Sequence, residues 1–454
     1  MGKLFGTDGV RGLANVELTP ELAFQLGRAG AHVLTKNVPG MPKVLLAKDS
    51  RQSGDMLEAA LTAGLCSVGA EVYHAGVIPT PAVAYIVRKH KMNAGAMISA
   101  SHNPMPDNGI KFFSGEGFKL PDNLEEEIEL SVQNIKSGND TLPRPVGKEV
   151  GVVKQLSSAL EDYASYLIST VPGLNLEGMR ITIDCANGAT SEVAPLVFEK
   201  LGALVTNLYA SPNGLNINKK CGSAHMQSLI AHMKAEESGI GIAFDGDGDR
   251  MRAVCEKGNL IDGDAILAIC GLDMHERGKL AKNTIVSTVM SNQGFEVFCN
   301  KNGLHLCRTD VGDRYVLEKM LAENYSLGGE QSGHVIFPEH STSGDGILTG
   351  LQLLDVMKRK NKPLSLLASV VESFPQVLVN AAVPNVRKPE LNTNAEIKKI
   401  QAEIESSLSE EGRILVRPSG TEPVVRVMIE GRDEEKIKSL AQKLADVIEK
   451  NLAE

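Results

Sequence analysis

Tryptophan is absent from this chain, and aromatic residues make up only 4% of its 454 positions. With 42% of residues hydrophobic, a sizeable core is expected, and it must be aliphatic. Positive charge is also short: Lys and Arg number 47 against 56 Asp and Glu, a net charge of −9. That balance excludes a general nucleic-acid binder, which needs a basic footprint, but leaves room for local basic pockets that hold phosphates. The seven cysteines, at 66, 185, 221, 255, 270, 299 and 307, are odd in number and form no Cys-x-x-Cys pair. A disulfide framework or a zinc cluster is therefore not expected. No uninterrupted apolar run reaches membrane-spanning length, and Met1–Gly6 has no apolar signal core. The expectation is a soluble cytoplasmic protein with neither a membrane nor a nucleic-acid partner.

What is present reads as alternating strands and helices. Thr19-Pro20-Glu21 has the order of a helix start: capping hydroxyl, proline in the first turn, then an acid. Val44–Ala47, Val72-Tyr73 and Ala94–Ile98 read as strands, with helices through 56–68 and from Pro79-Thr80-Pro81. Ile110–Phe113 reads as an edge strand, 122–136 as a surface helix and 137–150 as a linker. The alternation restarts with Arg180–Asp184, Leu204-Val205 and Gly239–Phe244, and again with Thr284–Ser287 and Leu304–Cys307. This grammar predicts tandem α/β units. From about 375 it changes to strands at 375–383, 414–416 and 424–429 with two amphipathic helices, a small α+β domain. The expected boundaries are 1–150, 151–255, 256–371 and 372–454.

Four stretches carry chemistry. Ile98-Ser99-Ala100-Ser101-His102-Asn103-Pro104 puts a serine and a histidine in the turn at the end of a buried strand, where open α/β sheets place ligands. Asp245-Gly246-Asp247-Gly248-Asp249-Arg250 sets three carboxylates at alternate positions, on one side if the segment is extended. Such a group repels itself unless a hard cation such as Mg²⁺ neutralises it. An EF-hand loop does not fit: Arg250 stands where that loop's sharp turn needs glycine. Gly329-Glu330-Gln331-Ser332-Gly333-His334 gathers directional polar partners suited to a polyhydroxylated ligand; the alternative is a tight polar turn with a core histidine. Arg417-Pro418-Ser419-Gly420-Thr421, with Arg426 on the next strand, can cradle a phosphate through a guanidinium, hydroxyls and loop amides; the alternative is a plain hairpin. The N-terminal Gly6, Gly9 and Gly12 bracket Arg11 and allow close backbone approach to a ligand.

Taken in order, these four motifs resemble the α-D-phosphohexomutase superfamily, and the resemblance spans the whole chain. Phe5-Gly6-Thr7-Asp8-Gly9-Val10-Arg11-Gly12 and Gln331 are similar to the branch acting on glucosamine phosphates. So is Thr309–Tyr315, which departs from the histidine-containing loop of the glucose and mannose enzymes. The resemblance implies an α/β fold of three tandem mixed-sheet domains plus a smaller C-terminal α+β domain around one central cleft. It implies interconversion of glucosamine 6-phosphate and glucosamine 1-phosphate, on the way to UDP-N-acetylglucosamine and cell-wall precursors. A phosphoserine at Ser101 and a glucosamine 1,6-bisphosphate intermediate and activator would carry the phosphoryl group. Glucose or mannose phosphates are the alternative substrates.

By the same resemblance Ser101, Asp245, Asp247 and Asp249 hold Mg²⁺. Lys111 is the general base, with a pKa lowered by burial or neighbouring cations, and His102 and Arg11 shape the site. Arg250 binds the transferring phosphate. Glu330, Ser332 and His334 meet the sugar, and Arg417, Ser419, Gly420, Thr421 and Arg426 hold the phosphate that is not reacting. The implied partner is a small sugar phosphate, and the implied assembly a homodimer.

Overall fold

The computed structural model describes residues 4–6, 8–236, 239–409, 412–419 and 422–453. The chain forms two compact units: Met1–Met290 with Leu306–Ser369, and Ser291–His305 with Val370–Glu454.

The first unit contains three mixed sheets, each built on a short parallel centre. In the first, the strand order is Val10–Leu13, Asp107–Ser114, Ala94–Ile98, Lys43–Lys48, Glu71–Val77, Val153–Gln155. Ala94–Ile98 is buried along its whole length, as expected of a strand covered on both faces. Helices Pro20–Thr35, Ser53–Cys66 and Asp122–Lys136 share one aliphatic core with this sheet through Leu26, Leu57, Leu61, Ile98, Ile110 and Ile128. Thr19 caps the first of them by accepting the Leu22 N–H.

One expectation fails here. Ile110–Phe113 is not at an edge, because the glycine-rich N-terminal segment pairs outside it, with Val10 opposite Ile110 and Arg11 opposite Gly109. Gly9 makes this pairing possible: its φ is +80°, and a Cβ there would lie 2.5 Å from the Ile110 carbonyl oxygen. The consequence is chemical, since the edge strand delivers Arg11 alongside the strand that carries Lys111.

The second sheet runs Leu260–Ile261, Met251–Val254, Ile240–Phe244, Arg180–Asp184, Leu204–Leu208. Phe244 pairs with Met251 in an antiparallel hairpin, so residues 245–250 are its turn and not an extended segment. The carboxylates converge because the chain curls, with Gly248 at φ +71° donating its N–H to the Asp245 carbonyl. The third sheet runs His305–Thr309, Thr284–Thr288, Gly328–Gly329, Val335–Ile336, and residues 330–334 form its hairpin turn.

The second unit contains an antiparallel sheet in the order Gln376–Ala382, Val424–Gly431, Gly412–Pro418. Helices Ala395–Leu408 and Glu434–Leu452 cover it through Ile397, Ile404, Leu444 and Ile448. The fold is thus three α/β mixed-sheet domains and a smaller C-terminal α+β domain. None of the described helices is long and apolar enough to cross a membrane.

Candidate active site

Ser101 lies in the loop between two antiparallel neighbours, Ala94–Ile98 and Asp107–Ser114. It is 1% exposed and left-handed, at φ +51°. A non-glycine residue held there stores about 1–3 kcal/mol of strain, and such strain concentrates at functional positions. Its Oγ donates to Asp245 Oδ2 at 2.6 Å and lies 3.2 Å from His102 Nδ1.

The three aspartates of the 245–250 turn are all buried, with carboxylate oxygens within 4.8 Å of one another. Burial raises the Asp245 carboxyl well above its usual range, and Asp249 and Asp247 add to the rise. Asp249 moves the other way: the cations around it outweigh its burial and hold it low. Asp247 Oδ2 accepts from Thr80 Oγ1 at 2.6 Å and Lys111 Nζ at 2.9 Å. Asp247 Oδ1 and Asp249 Oδ1 are buried with no hydrogen-bond donor among the described residues. Orphaned carboxylate oxygens in a converging hard-oxygen set fit a divalent cation such as Mg²⁺.

Around this cluster stands a ring of cations. Lys111 is 2% exposed, and its Nζ reaches both Asp247 and Asp8. Burial alone would lower its pKa, but Asp247 and Asp8 outweigh burial and hold it above the ordinary lysine range. The expectation of a lowered lysine is therefore not met here: the carboxylates that would hold a cation hold Lys111's proton instead. Arg11 pairs with Asp8. Arg250 donates its backbone N–H to Asp245 Oδ1, and its Nη1 lies 3.3 Å from His102 Nδ1. Loss of hydration and the guanidiniums of Arg250 and Arg11 push His102 down to about 4. Because the ring itself is exposed, the two guanidiniums are the firmer cause, and the imidazole is neutral at pH 7.

The 330–334 turn is fastened to the aspartate hairpin, Met251 donating its N–H to the Gly333 carbonyl at 3.0 Å. Gly333 sits at φ +97°, and a Cβ would lie 2.1 Å from the Met251 carbonyl oxygen. Glu330 and Ser332 are partly exposed on this turn, Ser332 Oγ 3.5 Å from Glu330 Oε2. Gln331 turns away to Asp262 Oδ2, the cap of helix Gly263–Glu276. His334, expected against the sugar, is 2% exposed, with Nδ1 3.6 Å from Asp249 Oδ2 and Nε2 3.5 Å from Asp313 Oδ2. The paired carboxylates favour a second proton on the ring, but the Gly344 N–H donates to Nε2 at 3.0 Å. Against its burial, Asp249 and Asp313 still raise the ring's pKa, in keeping with the low Asp249 carboxyl.

In the second unit, Arg417 and Arg426 face each other across the Gly412–Pro418 and Val424–Gly431 strands. Like charges directly opposite are unfavourable without a counterion, and burial together with Arg426 lowers the Arg417 guanidinium. Arg426 binds Glu422, whereas Arg417 has no carboxylate partner among the described residues. The two strands pair as neighbours in an antiparallel hairpin, the arrangement the alternative reading expects. Ser419 is buried and its Oγ accepts the Glu422 N–H. Gly420 and Thr421 lie outside the described residues.

Several participants escaped sequence reasoning. Asp8 binds Lys111, Lys119 and Arg11, and Lys119 continues to Asp313 at 2.6 Å. Burial opposes the Lys119 charge, but Asp313 and Asp8 outweigh it and hold the ammonium well above its usual range. Lys388 ties the phosphate-loop candidate by donating to the carbonyls of Ser419 and Glu422, each at 2.5 Å. The signal for Asp8 was present beside Arg11 and that for Asp313 within Thr309–Tyr315; Lys119 and Lys388 carry none that stands out locally.

Comparison with known proteins covers most of the chain. Four models of phosphoglucomutase/phosphomannomutase match in order: alpha/beta/alpha domain I at residues 2–139, domain II at 161–258, domain III at 262–374 and the C-terminal domain at 378–447. A phosphoglucosamine mutase of Ruminiclostridium cellulolyticum is 53% identical over the full length of both chains. One of Geobacillus kaustophilus is 51% identical over 100% of this chain and 99% of its own. Among solved structures, a phosphoglucomutase/phosphomannomutase family protein of Burkholderia thailandensis aligns with a TM-score of 0.81 at 23% identity, covering 98% of each chain. An Aspergillus fumigatus N-acetylphosphoglucosamine mutase, solved with GlcNAc-6P and magnesium, aligns with a TM-score of 0.66 at 17% identity, over 98% of this chain and 95% of its own. Domain order, full-length identity and fold agree: the chain belongs to the phosphoglucosamine mutase family of the phosphohexomutase superfamily.

Proposed function

We propose that this enzyme interconverts glucosamine 6-phosphate and glucosamine 1-phosphate, with Ser101 as the phosphoryl carrier. One observation carries the reading: a buried, left-handed serine presents its Oγ 2.6 Å from a cluster of three aspartates. The relatives that share about half of its residues from end to end bear the matching name.

In the forward half, the Oγ–P bond of phosphoserine 101 breaks as the free sugar hydroxyl oxygen bonds to phosphorus, giving glucosamine 1,6-bisphosphate. After the bisphosphate turns round, the other P–O ester bond breaks and phosphorus returns to Oγ. The attacking hydroxyl loses a proton and the leaving oxygen gains one. Neutral His102 is suited to accept a proton, and protonated Lys111 to give one. Phosphoryl transfer otherwise depends on positioning and charge neutralisation. Mg²⁺ bound by Asp245, Asp247, Asp249 and a phosphoserine oxygen would offset the charge of the transferring group. Arg11 and Arg250 supply further positive charge beside Ser101. Glu330 and Ser332 bind sugar hydroxyls, while Arg417, Ser419, Gly420, Thr421 and Arg426 hold the second phosphate. The functional division is 1–150 for the phosphoserine, 151–255 for the metal, 256–371 for the sugar and 372–454 for the distal phosphate. Seven unpaired thiols support a reducing, cytoplasmic setting.

The test is a mutase assay with Mg²⁺ and catalytic bisphosphate, comparing glucosamine 6-phosphate with glucose 6-phosphate and mannose 6-phosphate. Highest kcat/KM on glucosamine 6-phosphate is expected; a preference for either other hexose overturns the substrate assignment.

A further inference from the structure

The peptide unit of Ser101 is enclosed by a guanidinium that none of the four motifs contains. Arg51 is 2% exposed, and all five of its N–H donors are engaged. Nε donates to Asp49 Oδ2 at 2.9 Å. Nη1 donates to the carbonyls of Pro104 at 2.5 Å and Asp107 at 3.0 Å, and Nη2 to those of Ser101 at 3.0 Å and Asn103 at 2.8 Å. The other end of the same residue returns to the same ion pair: the Ser101 N–H donates to Ser99 Oγ at 2.9 Å, and Ser99 Oγ donates to Asp49 Oδ2 at 2.6 Å. A second clamp arrives from the neighbouring domain, Asn218 Nδ2 donating to the Ser101 and Asn103 carbonyls at 2.8 and 3.0 Å.

We propose that Arg51, with Asn218, is a positioning residue for phosphoryl transfer: it holds the 101–107 loop so that Ser101 stays left-handed with Oγ aimed at the aspartate cluster. Left free, a serine leaves the left-handed region, and the loop carbonyls swing toward donors elsewhere. A buried ion pair gives little net stability, since desolvation cancels most of its attraction. Four directional bonds to one loop, anchored by a fifth to Asp49, give geometry instead. Lysine cannot substitute, because an ammonium has three donors and no planar fork. A misplacement of about 1 Å at a reacting atom costs on the order of a hundredfold in rate.

This inference rests on Ser101 being the phosphoryl carrier, and the first arm of the experiment isolates that premise. Wild-type protein is incubated with glucose 1,6-bisphosphate, and phosphate on Ser101 is followed by intact mass; no phosphate there removes the carrier role and this proposal with it. With the wild type labelled, Arg51→Lys, Arg51→Ala and Asn218→Ala are compared. Arg51→Lys should lose on the order of a hundredfold in single-turnover transfer with KM changed less than about threefold. Asn218→Ala should fall in the same direction by less. Millimolar methylguanidinium should restore part of the Arg51→Ala rate and leave Asn218→Ala unmoved. Wild-type transfer rates in the folded Arg51 variants overturn the proposal. If neither Arg51 variant shows a cooperative thermal transition, Asn218→Ala decides: a fall in kcat at constant KM supports the clamp, and an unchanged kcat overturns it.

Discussion

At Ser101 three demands meet in one residue: a buried hydroxyl, a left-handed backbone and a carboxylate at hydrogen-bond distance. Ser101→Ala keeps the loop's main-chain bonds, so the variant should fold while losing at least about a thousandfold in mutase rate, since the phosphoryl carrier is gone. Intact mass after bisphosphate treatment should show no phosphorylated species, and wild-type turnover would end the carrier assignment. Asp247 gives a less obvious expectation. Three crowded carboxylates suggest that neutralising one relieves repulsion in metal-free protein. Asp247, however, already binds Lys111 and Thr80, so Asp247→Asn leaves a buried ammonium short of a partner. Metal-free stability should fall by about 1–3 kcal/mol, read by thermal denaturation in EDTA, while Mg²⁺ binding weakens. A higher melting temperature in EDTA would show that repulsion dominates. Ser101 and the aspartates were legible because each motif packs unusual chemistry into a few consecutive residues. The Lys119–Asp313 pair was not: its members are 194 positions apart, and Lys119 looks like an ordinary surface charge until the fold brings the two together.

Elements were legible where sequence carries its own punctuation. Thr19 and Asp433 each cap a helix with the side chain, and both caps precede amphipathic runs visible in the sequence. Val153–Gln155 is different: three exposed residues without alternation, a strand only because Glu71–Val77 offers an edge. Alternating Asp and Gly at 245–250 mimic strand spacing, whereas glycine at φ +71° lets the segment fold back. Asp345 shows an element-scale cost of a cap. It caps helix Gly346–Lys360 through the Leu348 N–H and accepts from Tyr163 Oη at 2.8 Å, yet burial raises its pKa from 3.8 to about 6. A carboxyl raised in the folded state stabilises fully below its unfolded pKa, and that share is lost as pH rises through 6. The loss is on the order of 3 kcal/mol. Asp345→Asn keeps the cap oxygen and can donate to Tyr163 without charge. Its melting temperature relative to wild type should therefore climb between pH 4 and pH 7; parallel pH curves would refute the assignment.

On the scale of the whole molecule, the phosphoryl carrier and the opposed arginines are built on different sheets in different compact units. The proposed reaction needs one phosphate to react while the other is held. The substrate reacts at either end, so one distal clamp must accept both orientations and grip phosphate instead of sugar. On the proposed assignment Arg417 is the candidate: its fork can bind two oxygens of one phosphate, it has no carboxylate partner among the described residues, and burial with Arg426 opposite lowers its pKa while Arg426 itself pairs with Glu422. If Arg417 is that clamp, Arg417→Ala removes a charge-assisted contact made in both orientations. KM should rise about 10- to 100-fold for glucosamine 6-phosphate and glucosamine 1-phosphate alike, matching a loss of about 1.5–3 kcal/mol. The clamp also has to keep the bisphosphate bound while it turns round. Escape leaves Ser101 without phosphate, so the variant should require added glucosamine 1,6-bisphosphate at concentrations where the wild type is self-sustaining. With bisphosphate in excess, Ser101 should still become phosphorylated, because carrier and metal cluster are untouched. If 417–423 serves only as a hairpin, the same variant loses thermal stability while KM and the bisphosphate requirement stay at wild-type values. Both quantities and the melting temperature, measured on one preparation, separate the two outcomes.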